Sequence, residues 1–240
     1  MRILNELEAE QFHPLKSNSI FSNLPHSVLE EIDAAKIQNN YKKGQTIFFQ
    51  GSPLFGIYCI QSGMVKRVKS LDNGEETIMS LSEMGDFFGG QAILSNSVAR
   101  ATYSLVAVQD AVLYFYDKNF ILGLLKKYPL LATNIISKYQ VSIERDEERI
   151  LSLSKKSVRE RVAETLINLG TRYGNEVGTN KINIPNMLSR IELSSLTGTA
   201  NETFIRTLSE FQKEGIIKLM SGAILITDNK ELHYCTGAAI

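Results

Sequence analysis

Two helix-start signals lie only ten residues apart near the end of the chain. Ser189 and Glu192 have the S-x-x-E spacing of a capping box, in which the hydroxyl accepts from an amide of the first turn and the glutamate accepts from the cap amide. Thr199 and Glu202 repeat that spacing. Two helix starts so close together leave room for only a short first helix, with Gly198 in the turn. The sequence therefore predicts a helix-turn-helix.

The second helix of this motif is predicted to cover residues 200–214 and to end before Gly215, because glycine is favoured just after a helix C-terminus. Its buried stripe would consist of Phe204, Leu208 and Phe211. Its outer face would carry Asn201, Glu202, Ile205 and Arg206. On a recognition helix, arginine bonds both acceptors of guanine and glutamate accepts from the amino group of cytosine. From the spacing alone, a core helix pair with a solvated charged face is an equally good interpretation.

A short β-hairpin is predicted directly after this helix. Residues 216–219, which are apolar except for Lys218, and the apolar residues 223–226 lie on either side of a turn at residues 220–222. A helix-turn-helix followed by a hairpin is a winged helix, and winged helices most often bind duplex DNA. In the alternative, the chain is a ligand-binding sensor whose winged helix contacts a protein. Glu202 and Arg206 favour DNA, because a wholly apolar outer face would favour protein.

The first half of the chain has a different pattern, in which short apolar clusters alternate with glycine-bearing turns from Tyr41 onward. The clusters that predict strands lie at residues 47–49, 57–60, 64–65, 77–79 and 111–115. Many short strands at regular spacing predict an antiparallel sandwich or barrel.

A long helix is predicted between these two regions, beginning near Pro129 and reaching about Leu153. Its heptad a and d positions are Ile136, Tyr139, Ile143, Asp146, Ile150 and Leu153. Only Asp146 is polar, so the other five form a narrow apolar seam. Such a seam on a long helix favours a two-stranded coiled coil and hence a homodimer. The alternative is a helix packed on its own β domain, whose apolar face would usually be wider.

A polar segment at residues 154–157 predicts a domain boundary. The predicted organisation has three parts. Residues 1–128 form an effector-sensing β domain with flanking helices, residues 129–154 form a dimerisation helix, and residues 155–240 form a DNA-binding domain.

Composition argues against several function classes. No apolar run approaches the roughly 18 residues of a membrane span, and the N-terminus lacks the pattern of a signal peptide. Cys59 and Cys235 are far apart, so we expect a cytoplasmic chain without a disulfide framework or a metal site. No paired carboxylates, nucleophile with a base, or phosphate-binding loop can be assembled, so we do not expect an enzyme. The net charge is zero, so binding to DNA would need locally clustered cations.

Four motifs occur in sequence order: Lys42–Gly51 (KKGQTIFFQG), Ile60–Val65 (IQSGMV), Gly85–Gly90 (GDFFGG) and Val158–Leu166 (VRERVAETL). With these motifs, and with Glu202 and Arg206, the chain resembles the cyclic-AMP receptor protein/fumarate-nitrate regulator (CRP/FNR) family of bacterial transcription factors over residues 21–232. The resemblance implies an α+β fold with an N-terminal antiparallel β-roll of the cyclic-nucleotide-binding type, a long dimerisation helix and a C-terminal winged helix-turn-helix. It also implies a homodimer that binds a palindromic DNA operator and contacts RNA polymerase.

The resemblance also implies roles for residues of the helix-turn-helix. The family's residues that match Glu202 and Arg206 read the core G·C pair of each half-site. Asn201 and Ile205 differ from the arginine and the serine found in the two main branches of the family, so the outer bases are not predicted, although Ile205 suits a thymine methyl group. The resemblance implies phosphate contacts for Ser189, Arg190 and Thr199.

The implied effector site begins at residues 90–92. Family members that bind cyclic nucleotides have Gly-Glu-Leu here, and the glutamate holds the ribose hydroxyl. This chain has Gly90, Gln91 and Ala92. The amide of Gln91 can bond a hydroxyl but lacks the charge-assisted bond of a carboxylate.

The family's phosphate-binding arginine has two alternative counterparts here. The spacing after the glycine assigns the place to Arg100, whereas counting back from the next apolar strand assigns it to Ala101, with Thr102 after it. A one-residue shift turns a strand side chain to the other face, so both alternatives stay open. On the long helix, Asp146 and Glu147 match positions that meet the base of the ligand.

The cofactor of this chain is not predicted. An iron-sulfur cluster is not expected because the family's N-terminal cysteine cluster is missing, and no residue supports a haem. A cyclic nucleotide is one candidate effector. Another small molecule, or control through a partner protein, is the alternative.

Overall fold

The computed structural model describes residues 19–237, and it divides into two compact units between Ile143 and Glu144. The predicted outer domains begin at residue 1 and end at residue 240, so residues 1–18 and 238–240 of those predictions lie outside the described residues. The predicted boundaries at residues 128 and 154 stay predictions. Within the described range, no helix combines the length and the hydropathy needed to cross a membrane.

The first unit is an antiparallel β domain that carries short helices. It begins with α1 (His26–Ala35), followed by β1 (Ile37–Tyr41), β2 (Thr46–Phe48), β3 (Pro53–Leu54), β4 (Gly56–Ser62), β5 (Met64–Ser70), β6 (Glu76–Glu83), β7 (Phe87–Phe88), α2 (Gly90–Leu94), β8 (Ala99–Arg100), β9 (Ser104–Ala107), β10 (Ala111–Asp117) and α3 (Lys118–Lys127). One sheet has the order β1-β10-β4-β7 and a second has the order β2-β9-β5-β6, while β3 pairs with β8. The predicted antiparallel β domain is confirmed.

Apolar side chains fill two clusters in this unit. In one, Phe21, Leu29 and Ile32 pack with Tyr116 of β10, whose ring meets that of Phe21 edge-on at 5.2 Å. In the other, strand residues pack with one another, and Leu105 is fully buried. Burying one such side chain contributes about 1.5–3 kcal/mol, so these clusters hold the sheets together.

Helix α4 (Pro129–Lys155) is the predicted long helix, and it runs across the division between the two units. Its first two turns bury Leu131 and Ile135 in the core of the first unit. The rest of the helix is largely exposed.

The second unit is a winged helix. After α4 it contains α5 (Val158–Tyr173), β11 (Asn175–Gly178), β12 (Lys181–Pro185), α6 (Arg190–Thr197), α7 (Asn201–Lys213), β13 (Ile217–Met220), β14 (Ala223–Ile226) and α8 (Asn229–Tyr234). The strands form one sheet with the order β11-β12-β14-β13. The predicted helix-turn-helix and hairpin are confirmed, and β13 begins one residue later than predicted.

The capping box predicted at the start of α6 is present. Ser189 Oγ accepts from the Glu192 amide at 3.2 Å, and Glu192 Oε2 accepts from the Ser189 amide at 2.7 Å. Both unpaired donors are satisfied in the way that the spacing predicts.

The second predicted capping box, of Thr199 with Glu202, is wrong. Gly198 has a φ of 70°, and the Thr199 amide donates to the Ser194 carbonyl at 3.1 Å, as in a Schellman motif. Thr199 therefore still belongs to the C-terminal turn of α6. Helix α7 begins later, with Ala200 as its cap residue and no side-chain cap bond.

Candidate nucleic-acid interface

Helix α7 has a buried inner face that fixes its rotation about its own axis. The inner side chains are Phe204, Thr207, Leu208 and Phe211, and each is at most 4% exposed. The guanidinium of Arg159 on α5 lies 4.4 Å from the centre of the Phe211 ring and forms an ion pair with Glu214. These contacts leave the opposite side of α7 open.

The outer face of α7 (Asn201, Glu202, Ile205 and Arg206) carries the predicted base-reading residues. Glu202, Ile205 and Arg206 are exposed, and Asn201 is half-buried. Among residues 19–237, the side chains of Glu202 and Arg206 form no hydrogen bond or ion pair. The structure thus brings an unpaired acceptor and an unpaired cation together on one face, and each can bond a base edge in a major groove.

Asn201 differs from its neighbours on this face. Its Oδ1 atom is buried and has no hydrogen-bond partner within the described chain. Leaving a buried acceptor unpaired costs about 1–3 kcal/mol. A rotation of the amide towards a bound base would remove that cost.

The predicted phosphate-contacting residues lie at the two ends of α6. Ser189 is its N-cap, Arg190 is its first residue and Thr199 follows its end. Arg190 Nη1 is buried without a partner in the described part of the chain, and burial lowers the pKa of its guanidinium. Arginine keeps its charge at neutral pH even so. A phosphate oxygen would therefore satisfy a cation that has no partner among residues 19–237.

The predicted seam on α4 contains an exposed isoleucine stripe, defined by Ile136, Ile143 and Ile150. These residues recur every seven positions, and their side chains are 66%, 51% and 64% exposed. A seven-residue repeat keeps them on one side of the helix. Leu153, the last seam residue, is less exposed, and its side chain contacts Gly198 in the helix-turn-helix.

In the first unit, Gln91 is in contact with a side chain that the sequence did not identify. Gln91 forms a hydrogen bond with the Tyr103 hydroxyl, and burial raises the pKa of Tyr103 to about 12. The Tyr103 ring lies 6.2 Å from that of Phe88 and 5.6 Å from the Arg67 guanidinium. No sequence spacing links Tyr103 to Gln91, because the contact joins α2 to the segment before β9.

Tyr139, which the heptad pattern assigns to the seam, covers Gly90. A Cβ atom at Gly90 would overlap the Tyr139 hydroxyl oxygen. The Tyr139 ring also meets Phe87 edge-on at 5.5 Å. Ala92, the third residue of the predicted effector motif, is buried.

Arg100 on β8 is held by the β2–β3 loop. Its Nη1 donates to the Gly51 carbonyl oxygen at 2.8 Å, and the side chain is exposed. Ala101 is buried and Thr102 is exposed. The remaining predicted effector residues lie exposed on α4 in the second unit: Asp146 and Glu147.

The chain matches two known domain families. Residues 38–128 match the cyclic nucleotide-binding domain, and residues 160–235 match the Crp-like helix-turn-helix domain. The two matches correspond to the β domain and to the winged helix.

Similar proteins come from several bacteria. The chain is 31% identical over 198 residues to the Electron transport regulator A of Shewanella oneidensis, covering 82% of this chain and 78% of that protein. It is 29% identical over 196 residues to the Fumarate and nitrate reduction regulatory protein of Escherichia coli, covering 82% and 77%. Its fold is shared with FixK2 from Bradyrhizobium japonicum, with a TM-score of 0.73 at 22% identity, covering 85% of this chain and 99% of that chain. The chain therefore belongs to the CRP/FNR family of transcription regulators, which bind DNA through a helix-turn-helix.

Proposed function

We propose that this regulator is a homodimer that binds a palindromic operator, with α7 of each subunit in the major groove and the first unit controlling the dimer. The observation that carries this proposal is the outer face of α7. There Glu202 and Arg206 are exposed and lack partners within the described chain, while Phe204 and Phe211 are fully buried on the other side.

The outer face suits a half-site with a G·C core. Arg206 would bond O6 and N7 of a guanine, and Glu202 would accept from the amino group of a cytosine. Ile205, which is 44% exposed, would pack on a thymine methyl group, and Asn201 would bond an adenine.

Contacts to phosphate would position this helix. Arg190 supplies a guanidinium at the start of α6 that has no partner within the described residues, and Ser189 and Thr199 supply hydroxyl groups at the two ends of the helix. Such contacts set the register of the protein on the duplex without reading its sequence.

The isoleucine stripe supports dimerisation through α4. Three isoleucines exposed by half or more on one side of a helix are costly in water, and pairing with the same stripe of a second copy would bury them. The two recognition helices would then lie one DNA turn apart, about 34 Å.

If the first unit controls DNA binding, an effector would have to change contacts that two tyrosines of this unit make. Tyr103 is hydrogen-bonded to Gln91, and Tyr139 covers Gly90. A small-molecule effector at this place would have to displace these side chains. It would shift the conformational equilibrium of the dimer only if it bound the two states with different affinities.

RNA polymerase is the expected protein partner. The alternative function, contact of the winged helix with another protein, is disfavoured by the two charges on the outer face.

The decisive experiment selects duplexes from a random-sequence library with the purified protein and measures their affinity at fixed salt. We expect a palindrome with a G·C pair in each half-site. Because a bidentate arginine-guanine contact is worth about 1–3 kcal/mol, Arg206→Ala should weaken binding by about tenfold or more per half-site. The same variant should bind random duplex as wild type does.

Lys213→Ala is the matched control, because Lys213 is exposed in the last turn of the same helix. It should leave the selected sequence unchanged. If the wild type enriches no sequence, or if Arg206→Ala selects and binds the same palindrome equally well, base reading by α7 is wrong.

A further inference from the structure

We infer that Arg161 and Glu164 are positioning residues for operator recognition, because they fasten the end of α4 to the turn of the helix-turn-helix. This inference rests on the proposed homodimer on a palindromic operator. The fastening, which we call the joint, consists of Ser152, Leu153, Lys156, Arg161, Glu164, Thr197 and Gly198. All of these residues lie in the second unit.

Arg161 on α5 connects two helix ends. Its Nη1 donates to the Lys156 carbonyl at 2.8 Å, just after α4. Its Nε donates to the Thr197 carbonyl at 3.2 Å, and its Nη2 donates to the Gly198 carbonyl at 3.0 Å. One guanidinium therefore holds the end of α4 and the end of α6 at the same time.

The chemistry of these acceptors explains why an arginine is suited to this place. The last carbonyls of a helix have no partner within the helix, and they carry the negative end of its dipole. A planar guanidinium presents five donors in a fixed fork, so it can bond three carbonyls in different directions. Lysine has a single flexible ammonium and would not hold the same three acceptors in one geometry.

Glu164 makes the second connection, one turn further along α5. Its carboxylate accepts from the Ser152 hydroxyl and, at 3.0 Å, from Lys156 Nζ. The side chains of Lys156 and Glu164 are only 31% and 32% exposed, so this ion pair is less screened than a pair on the open surface. The end of α4 is thus bonded to α5 through both a side chain and a backbone carbonyl.

Apolar and hydroxyl contacts complete the joint. The Leu153 side chain packs directly on Gly198, where a Cβ atom would overlap it. The Thr197 hydroxyl lies 3.2 Å from the Thr165 hydroxyl and donates to the Leu193 carbonyl at 2.8 Å. The turn that precedes α7 is therefore held from α4, from α5 and from within α6.

The joint determines how α7 is directed relative to the end of α4. Only Lys156 and Ser157 separate α4 from α5, so little chain is available to absorb a change in angle. In a dimer paired along α4, this angle sets the separation and the relative rotation of the two recognition helices. Adding one base pair to the centre of a palindrome separates its half-sites by a further 3.4 Å or so and rotates them by about 35°. A protein with an intact joint should therefore bind such a duplex weakly, and a protein with a loosened joint should bind it with less loss of affinity.

The experiment compares the selected palindrome with duplexes that have one central base pair added or removed, and with a duplex that carries a single half-site. Wild type should lose about tenfold or more in affinity for the altered spacings. Arg161→Lys and Glu164→Gln should each reduce this ratio by at least about threefold, while their affinity for the single half-site stays at the wild-type value. A merely structural role would lower the affinity for all duplexes together.

Arg172→Lys is the matched control, since it makes the same change on α5 about 16 Å further along the helix. It should leave both the spacing ratio and the half-site affinity unchanged. Folding of every variant is checked by thermal unfolding, and if Arg161→Lys does not fold, the result for Glu164→Gln decides.

The inference is overturned if a folded Glu164→Gln protein discriminates against altered spacing as strongly as wild type does. Failure of the proposed function looks different, because the wild type itself would then show no preference for a palindrome. The two outcomes are therefore separable in one set of titrations.

Discussion

The hydroxyl oxygen of Tyr139 occupies the place where a side chain at Gly90 would begin. This contact joins α4 to the first residue of α2, and the Phe87 ring meets the Tyr139 ring edge-on. The resemblance to the CRP/FNR family assigns Tyr139 to the dimer helix and Gly90 to the effector site. In this chain the two residues are in contact.

Replacing Gly90 with alanine should destabilise the first unit. The added methyl group would overlap the Tyr139 hydroxyl, and overpacking of this kind costs about 1–3 kcal/mol. Thermal unfolding measures the loss. Gly123→Ala is the control, because nothing lies within 4 Å of its Cβ position and alanine stabilises a helix interior. In a Tyr139→Phe background the cost of Gly90→Ala should shrink, and an unchanged cost would contradict the contact.

Gly198→Ala should be more damaging than the same change at Gly222. Both glycines have positive φ, but only at Gly198 would the new methyl group also meet Leu153. The conformational cost for a non-glycine residue is about 1–2 kcal/mol at either site, so any excess at Gly198 measures the clash. Leu153→Ala should remove that excess in a double-mutant cycle followed by unfolding. Equal costs at the two glycines would show that the Leu153 contact is unimportant.

Ile143→Glu should shift the protein from dimer to monomer. The change places a charge at the centre of the isoleucine stripe, opposite the same charge in a second copy. Sedimentation equilibrium measures the association constant, and operator affinity should fall with it. Val141→Glu is the control, since Val141 is also exposed on α4 but lies off the stripe. A dimer that survives Ile143→Glu unchanged would rule out pairing along this stripe.

Titration calorimetry should show no micromolar binding of cyclic AMP to the wild-type protein. The Arg100 guanidinium is bonded to the Gly51 carbonyl, and Gln91 is bonded to Tyr103, so neither group is ready for a phosphate or a ribose. Arg100→Ala serves as the comparison. Micromolar binding that disappears in Arg100→Ala would instead place this arginine in a phosphate pocket.

The capping box at the start of α5 should give a pH-dependent contribution to stability. Hydrogen bonds from Ser157 lower the pKa of Glu160 below its ordinary value near 4.5. Glu160 therefore stabilises the fold fully above that ordinary value, and the contribution is lost as the pH falls through the lowered pKa. The difference in Tm between wild type and Glu160→Ala should be present near pH 7 and shrink towards pH 3. Glu148→Ala, at an exposed position on α4, serves as the control.

Local signals in the sequence predict much of the second unit. The spacing of Ser189 and Glu192 identifies the start of α6, and Phe204, Leu208 and Phe211 identify the inner face of α7. These patterns depend on residues within one or two turns of each other. The prediction at Thr199 is wrong because a capping pattern considers only the helix that follows, whereas the preceding helix holds Thr199 through the Ser194 carbonyl.

Local sequence patterns do not predict contacts between segments that are far apart in the chain. Gln91 and Tyr103, Gly90 and Tyr139, and Arg161 and Gly198 are each far apart in the sequence. Whether Arg100 faces inward or outward depends on the pairing of β8 with β3, which the sequence alone left open between two registers. The contacts of Gly90 and Gln91, and the joint, therefore depend on the three-dimensional fold.

Helix α7 has a buried inner face and an outer face on which the side chains of Glu202 and Arg206 have no partner in the part of the chain that the structure describes, and this division has an evolutionary consequence. Substitution of an exposed residue such as Ile205 removes no bond that the fold uses, so such changes can accumulate without unfolding the protein. Gene duplication followed by drift at these few positions would give regulators with the same architecture and separate sets of target genes. Insertions in the short turn between α6 and α7 would be purged, because they would rotate the whole outer face away from the DNA.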